Sequence, residues 1–378
     1  MYLSSSRIRL FSSLKYLSHR RYESSKAPST GTKVDESTDS TVQSKLLQNM
    51  LEPDGVVRPK IDPKETSIIL FPGQGTQYVG MASKLIRFPE ARRIFELANE
   101  VLGYDLLKLC LEGPVEKLNR TEHAQHAVMV SSLAALEQLK EERPKAIDTC
   151  VATAGFSLGE ITALVFAGVL PFDKALKLVQ IRANAMQVAC DRVAGGMAMV
   201  LYAPDTEIGA ACAKAVQWCV DKGIENPYCG VANYMFPHCK VLAGNIEAIE
   251  FLEKNAKALK IRRIKRLPVS GAFHTPLMED AIEPFAKALK KIPLEEPIIR
   301  VYSNVDGKPY KHVPHILKQL PKQIVKPVKW EQTMHQMYER QQGLDFPRTF
   351  ECGPGKGLVQ ILEKVNAKAA NTALSIEA

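Results

Sequence analysis

The sequence predicts an α/β fold with a mainly parallel sheet and a smaller subdomain inserted into it. From residue 66 onward, short apolar runs typical of buried strands alternate with longer segments of helical periodicity. This order produces a parallel sheet with helices on both faces. Near residue 196 the pattern changes character. The composition, 46% hydrophobic and 24% charged, is that of a globular protein with a sizeable core.

The larger part contains four expected strands and several helices. The strands are TSIILF (66–71), TCVATAGF (149–156), VYSN (301–304) and TFEC (349–352). Helical periodicity covers residues 79–101, 125–140, 173–190 and 276–291. We therefore assign a large α/β subdomain to residues 66–194 and 267–365, followed by a C-terminal tail over 366–378.

Residues 195–266 form the expected smaller subdomain. Its three strand-like segments are GGMAMVLYA, VANYMFPHCKVLAG and IRRIKRLPV. Helical runs at 205–222 and 246–258 separate them, which gives a β-α-β-α-β order. That size and order predict a ferredoxin-like subdomain.

Residues 1–22, MYLSSSRIRLFSSLKYLSHRRY, have the composition of a mitochondrial transit peptide. The segment is rich in Arg and Ser, has no acidic residue and is interleaved with apolar side chains. Since Ser and Arg interrupt every apolar run, a secretory signal is not expected. A basic tail without a targeting role is the alternative. We expect the mitochondrial matrix, with the polar, Ser/Thr-rich residues 23–65 as a linker.

Composition excludes several other classes. Residues 1–26 hold six basic residues and one acid, which accounts for +5 of the net charge of +9, so a nucleic-acid partner is not expected. No apolar run approaches the ~20 residues of a membrane-spanning helix. The eight cysteines include no CxxC pair, and two HxxH pairs lack a third ligand, so we expect buried thiols and no metal or other cofactor.

The stretch GFSLGE (155–160) places Ser157 between two glycines at the junction of a strand and a helix. In G-x-S-x-G, the serine occupies a sharp turn that exposes its hydroxyl, as in α/β-hydrolase-like cores. Free N–H groups at the start of the helix favour the oxyanion of a tetrahedral intermediate. Ser157 is therefore a candidate nucleophile. A helix N-cap serine between two loop glycines is the alternative.

A nucleophilic serine needs a general base, and His274 in SGAFHTPLM is the candidate. It lies in a loop before the helix expected at 276–291 and is flanked by apolar residues. A loop histidine with only structural hydrogen bonds is the alternative.

Arg182 lies in DKALKLVQIRANAMQVAC, a helix that is apolar on most of its circumference. No acid lies three or four residues away on either side, so the helix itself supplies no ionic partner. A buried arginine without an anion costs several kcal/mol, and its planar guanidinium suits a bidentate carboxylate. Either a distant acid or the carboxylate of a ligand must supply the charge.

Two further stretches are candidates for binding. In FPGQGTQ (71–77), glycines on either side of Gln74 allow its backbone N–H to point into a site as an oxyanion donor, although a plain tight turn fits as well. The cluster Arg262, Arg263, Lys265 and Arg266 is either a solvated strand end or a docking patch for phosphates or an acidic partner.

Taken together, these stretches resemble the malonyl-CoA:acyl-carrier-protein transacylase family, and its mitochondrial members in particular. The resemblance covers roughly residues 66–365. It is carried by FPGQGTQ, GFSLGE, IRANAMQ, VSGAFHTPLM, VYSN, PVKW and FECGPGKGL, in that order.

The resemblance implies a ping-pong transfer of a malonyl group from malonyl-CoA to the phosphopantetheine thiol of holo acyl carrier protein. It makes Ser157 the nucleophile and His274 the base. The N–H groups of Gln74 and Leu158 become the oxyanion donors, and Arg182 binds the malonyl carboxylate. A monomer is the expectation for the family.

The resemblance also assigns roles at three less obvious positions. The main-chain carbonyl of Gln323 orients the histidine in place of a triad acid. Phe273 agrees with the malonyl-selecting form of related polyketide acyltransferases, which argues against a methyl-branched substrate. Phe156 is a departure, because the family usually has His there. On this reading the basic cluster near 262–266 is a docking surface for the carrier protein.

Two other functions are the alternatives to acyl transfer. A serine hydrolase of the α/β-hydrolase type would need a triad acid between Ser157 and His274 and gives no reason for an unpaired Arg182. A non-catalytic relative kept for binding would be expected to have lost the nucleophile, the base or the arginine, and all three are present.

Overall fold

The computed structural model describes residues 62–269, 271–341 and 343–378. The expected transit peptide and nearly all of the expected linker lie outside the described residues. The last residues of the linker form a short 3-10 helix, Pro63–Glu65, directly before the first strand.

Ten strands form two sheets. In chain order they are β1 (Ser67–Phe71), β2 (Cys150–Gly155), β3 (Gly195–Tyr202), β4 (Cys229–Phe236), β5 (Cys239–Asn245), β6 (Ile261–Arg266), β7 (Arg300–Tyr302), β8 (Val328–Lys329), β9 (Arg348–Gly353) and β10 (Ala373–Glu377). The larger sheet has the order β10-β9-β1-β2-β7, and all of its pairs are parallel. The four strands expected for this sheet are confirmed, and β10 is added to them.

Fourteen α-helices occur in the described part of the chain. They are α1 (Pro89–Leu102), α2 (Leu106–Glu112), α3 (Val115–Leu118), α4 (Thr121–Glu142), α5 (Pro144–Asp148), α6 (Leu158–Phe166), α7 (Phe172–Arg192), α8 (Ile208–Asp221), α9 (Ile246–Lys254), α10 (Ile282–Leu289), α11 (Val313–Gln319), α12 (Trp330–Met337), α13 (Gly357–Val365) and α14 (Ala367–Ala370). The run expected to be helical over 79–101 forms α1 only from residue 89, because turns and a 3-10 helix precede Pro89.

Helices cover both faces of the larger sheet. Along β1, side chains alternate between the two faces, so Ile69 and Phe71 pack into the core formed with α1, α4, α6 and α7. Ile68 and Leu70 pack on the other side against α12 and α13. Because both faces are buried, the strands read as continuous apolar runs, as the sequence predicted.

The smaller sheet has the order β6-β3-β5-β4-β8. Its elements follow the chain order β3-α8-β4-β5-α9-β6, and β3, β4, β5 and β6 pair antiparallel, which is a ferredoxin-like arrangement. The expected β-α-β-α-β order was one strand short. VANYMFPHCKVLAG is a hairpin of β4 and β5, and its turn reverses at His238, which has a positive φ of 62°.

Two boundaries of the predicted domains differ from the structure. Residues 366–378 are not a tail, because α14 and β10 occupy them and β10 pairs with β9 along its length. Ile376 and Ala378 are buried there, which gives this segment a reason to fold onto the sheet. Strand β8 lies outside 195–266 yet pairs with β4, so it links the smaller sheet to the larger subdomain.

The expected state of the cysteines is confirmed. All eight are free and buried. Among the described residues, no helix combines the length and the apolar character needed to cross a membrane.

Candidate active site

Ser157 lies on the sharp turn between β2 and α6 with a positive φ of 52°. A Cβ on Gly155 would overlap the backbone of Gly159, and a Cβ on Gly159 would overlap the backbone at Phe71. The turn is therefore possible only with glycine at both positions. The amide side chain of Asn304, just after β7, holds it by accepting from the Ser157 N–H at 2.7 Å and donating to the Gly155 carbonyl at 2.8 Å.

The Ser157 hydroxyl contacts two functional side chains. Its Oγ lies 2.8 Å from His274 Nε2 and accepts a hydrogen bond from Arg182 Nη2 at 3.2 Å. It makes no capping hydrogen bond to α6, although Ser157 occupies the N-cap position. The geometry therefore does not support a simple helix cap.

His274 is held as a neutral acceptor toward Ser157. Its Nδ1 lies 2.7 Å from the main-chain carbonyl of Gln323, which can only accept, so the ring proton is on Nδ1 and Nε2 is free. The main-chain N–H of His274 donates to Ile324, which fixes a backbone with φ of 61°. Burial, and then the nearby charge of Arg182, lower the pKa of His274 to about 4.

Arg182 is fully buried, and its guanidinium points at the Ser157 hydroxyl. Its Nη1 donates to Gln125 Oε1 at 2.8 Å, and its Nη2 donates to Gln323 Oε1 at 2.9 Å as well as to Ser157. Its Nε has no hydrogen-bond partner among the described residues. Burial lowers the pKa of Arg182 to about 10, and Glu160 opposes that shift, so the side chain is charged at neutral pH.

No ion pair between described residues includes Arg182. The distant acid that the sequence left open is Glu160, but it reaches the arginine only through the Gln323 side chain. Glu160 Oε2 accepts from Gln323 Nε2 at 2.5 Å, and the other end of that amide accepts from Arg182. Because no described carboxylate pairs directly with Arg182, the guanidinium can still bind the carboxylate of a ligand.

Sequence reasoning missed Glu160, Gln125, Asn304 and Tyr310. Glu160 is completely buried in α6, where Tyr310 donates to it at 2.5 Å and the Asn304 N–H at 3.2 Å. Burial raises its pKa to about 7, while these hydrogen bonds act in the opposite direction. One signal for it was available, since Glu160 is the sole charge in the apolar segment LGEITALVF.

A cavity of about 250 Å³ opens onto Ser157 between the two sheets. The larger subdomain contributes the FPGQGTQ turn, Arg182 and Phe273, and the smaller one contributes Met197, Asn233 and neighbouring strand residues. The cavity therefore brings together Ser157, Arg182, His274 and residues 72–76, as expected from the sequence.

Of the two predicted oxyanion donors, one lines this cavity and the other follows Ser157 in the chain. Gln74 lines it, and its side chain is held aside by Thr121 and Gln125. Leu158 is the first residue of α6, where an N–H has no partner within the helix.

The basic cluster lies on β6, at the outer edge of the smaller sheet. Arg262, Arg263, Lys265 and Arg266 are all exposed, and only Arg266 forms an ion pair among the described residues, with Glu253. The chain leaves β6 directly into Leu267, Pro268 and Val269, which line the cavity. The patch is therefore continuous with the rim of the site.

Within the described ranges, no group of three or more His, Cys, Asp or Glu side chains could hold a metal ion. His126, one member of the HxxH pairs, is buried and bound to the main-chain carbonyls of Glu122 and Leu176.

Comparison with known proteins identifies the family. The acyl transferase domain model matches residues 68–345. A probable mitochondrial malonyl-CoA-acyl carrier protein transacylase of Drosophila melanogaster is 76% identical over 332 residues, 88% of each chain. The chain belongs to the malonyl-CoA:acyl-carrier-protein transacylase family. The mitochondrial transacylase of Homo sapiens is 52% identical over 307 residues, 81% of this chain and 79% of that one.

Solved transacylases share the fold as well. The enzyme from Xanthomonas oryzae pv. oryzae superposes with a TM-score of 0.75 at 32% identity, covering 84% of this chain and 96% of the other. A malonyl-transacylase in complex with a type II PKS acyl-carrier protein gives a TM-score of 0.73 at 32% identity, covering 83% and 96%. The chain is thus an acyltransferase with the transacylase architecture.

Proposed function

We propose that this chain moves the malonyl group of malonyl-CoA to the phosphopantetheine thiol of acyl carrier protein, for fatty acid synthesis, through a malonyl ester on Ser157. The observation that carries the proposal is the position of Arg182. A buried guanidinium without a carboxylate partner lies 3.2 Å from the serine hydroxyl, within reach of a carboxylate on the acyl group that the serine receives.

In the first half-reaction, His274 Nε2 takes the proton of Ser157 while Oγ attacks the thioester carbonyl. The C–S bond then breaks, and coenzyme A leaves as the thiol with the proton from His274. The Gln323 carbonyl holds the Nδ1 proton and stabilises the imidazolium that forms, which is the task of the acid in a serine triad.

In the second half-reaction, His274 takes the proton of the phosphopantetheine thiol, and the sulfur attacks the malonyl ester. The C–O bond breaks, and Ser157 recovers its proton. In both halves the negative charge on the carbonyl oxygen faces the N–H groups of Leu158 and Gln74. Loss of one such donor typically costs about 3–4 kcal/mol of transition-state stabilisation.

Selection for malonyl groups rests on Arg182 and Phe273. A carboxylate at Arg182 would form charge-assisted hydrogen bonds in a buried site, where they are strongest. Phe273 is buried in the cavity wall beside the base and narrows the space for a branch on the acyl chain.

The Arg182→Ala variant tests the proposal. We expect transfer from malonyl-CoA to fall by more than about tenfold, since a hydrogen bond to a charged group contributes about 1.5–3 kcal/mol. Transfer from acetyl-CoA, which has no carboxylate, should change less. Arg192→Ala is the matched control, because Arg192 lies on the same helix but is exposed and paired with Asp280. Intact malonyl transfer in Arg182→Ala would sink the proposal.

The hydrolase alternative is less well supported. A main-chain carbonyl orients His274, whereas an α/β-hydrolase would use a carboxylate. Hydrolysis of an uncharged ester also gives the buried Arg182 no role.

We further propose that the β6 patch of Arg262, Arg263, Lys265 and Arg266 docks the carrier protein. Four exposed cations beside the cavity rim suit an acidic partner. Reversing Arg262 and Arg263 to Glu should raise the KM for holo carrier protein and leave acylation by malonyl-CoA unchanged. Lys145→Glu is the control, because Lys145 is exposed and lies far from the site. Its neighbour Ala146 accepts a hydrogen bond from Ser67 at the start of β1, at the edge of the larger sheet opposite Ser157. Equal effects on both half-reactions would contradict docking at β6.

The relatives named above support a mitochondrial location, and we propose the matrix as the compartment. We also propose that the chain works as a monomer without a cofactor, with coenzyme A entering only as part of the substrate.

A further inference from the structure

We infer that Glu160 is a positioning residue, which fixes the orientation of the Gln323 amide and thereby aims Arg182 at the carboxylate of the acyl group. The inference rests on the proposed function and adds a residue to it. Glu160 touches neither Ser157 Oγ nor the cavity, so its effect must pass through Gln323.

The carboxylate of Glu160 is fully enclosed by donors. The Tyr310 hydroxyl and the Asn304 N–H donate to Oε1 at 2.5 and 3.2 Å, and Gln323 Nε2 donates to Oε2 at 2.5 Å. All three partners donate, which is the pattern that suits an ionised carboxylate. A buried charge bound this way is rigid, because each lost contact would leave an unpaired polar group.

This carboxylate dictates which way the Gln323 amide faces. With Nε2 toward Glu160 and the Ser157 carbonyl, at 2.5 and 2.8 Å, its Oε1 is left to accept from Arg182 Nη2 at 2.9 Å. In the flipped orientation, the amide oxygen would face two acceptors and the amide nitrogen would face the guanidinium. In its ionised form, which the three donors favour, Glu160 can only accept and therefore excludes the flipped state.

The arrangement also explains how a buried arginine stays available to a substrate. The negative charge of Glu160 acts on Arg182 through one intervening amide rather than in a direct ion pair. A direct pair would occupy the guanidinium and compete with the incoming carboxylate. Gln125 and Gln323 instead accept from Nη1 and Nη2 with neutral oxygens. Toward Ser157 the guanidinium donates only to the hydroxyl that receives the acyl group, and no described carboxylate pairs with it there.

Glu160→Gln is the decisive variant, because glutamine has the same shape but presents an NH₂ group that can oppose Gln323 Nε2. We expect the ratio of kcat/KM for malonyl-CoA to that for acetyl-CoA to fall about tenfold or more, as for loss of a hydrogen bond to a charged group. The acetyl-CoA value itself should change less than about threefold. Tyr310→Phe is the matched control. It removes one donor to Glu160 but leaves the carboxylate on Gln323, so the ratio should be kept.

A purely structural role predicts a different result. Glu160→Gln would then lower kcat/KM for malonyl-CoA and for acetyl-CoA by the same factor, or would lower neither. An unchanged ratio of the two would overturn the inference. A fall of equal size in Tyr310→Phe would also overturn it, since any cut in the buried network would then act alike.

If Glu160→Gln does not fold, as judged by circular dichroism, Gln323→Met decides the question. It removes the connecting amide and keeps the main-chain carbonyl for His274. A retained ratio in that variant would overturn the inference. Failure of the proposed function gives a separate signal, namely a wild-type-like ratio in Arg182→Ala.

Discussion

Arg182 and His274 share the same hydroxyl, and burial together with the charge of Arg182 sets the protonation of His274. Burial disfavours the imidazolium, and the cation beside it disfavours it further. The base is therefore unprotonated in the free enzyme throughout the physiological range. When a substrate carboxylate offsets the arginine, the imidazole becomes a stronger base at the moment it must accept the serine proton.

This predicts an unusual pH profile for the free enzyme. Since the pKa of His274 is lowered from 6.5 to about 4, kcat/KM for acetyl-CoA should be flat from pH 7 to pH 5 and fall only as pH approaches 4. An uncharged acyl group is used so that no carboxylate neutralises Arg182. Circular dichroism at each pH checks that the fold persists. An inflection near 6.5 would show that the histidine is not held neutral in this way.

For single residues, the sequence predicted the reacting side chains but not the side chains that hold them in position. Ser157, His274 and Arg182 were visible from a motif, an apolar flank and a charge without a helical partner. Glu160 and Gln125 were not, because their importance comes from contacts across 57 to 163 residues of chain, which no local pattern encodes.

The helices and strands that were predicted best are those that are buried, because burial gives them a recognisable apolar pattern. Strands β1 and β2 are apolar on both faces and were found with nearly correct bounds. The β4–β5 hairpin was missed because its turn, FPHC, carries none of the usual Asn-Gly or Gly-Gly signals. Strand β10 was missed because ALSIE is short and contains only two strongly apolar side chains.

The structure predicts that β10 contributes to stability through a single buried side chain. Ile376 is 8% exposed within the main core, whereas Leu374 on the same strand is 43% exposed. Ile376→Ala should lower the free energy of unfolding by about 2 kcal/mol or more, and Leu374→Ala by less than about 0.5 kcal/mol. Urea denaturation of both variants makes the comparison. Equal losses would mean that β10 is not packed as described.

At the scale of the whole molecule, the two sheets contribute different parts of the site. The carboxyl ends of the parallel strands present Ser157 after β2, Asn304 after β7 and the FPGQGTQ turn after β1 at one edge. The ferredoxin-like sheet closes the cavity over that edge and carries the basic strand β6. We expect the acyl donor and the acceptor to reach Ser157 through this same cavity, which suits a reaction in which the first product leaves before the second substrate binds.

In the proposed mechanism, Ser157 carries the malonyl group between the two substrates. Incubation with malonyl-CoA in the absence of carrier protein, followed by acid quench and peptide mass spectrometry, tests it most directly. We expect a malonyl ester on the peptide containing Ser157, absent from Ser157→Ala and discharged when holo acyl carrier protein is added. An unlabelled Ser157 peptide, or carrier protein malonylated at the wild-type rate by Ser157→Ala, would contradict it.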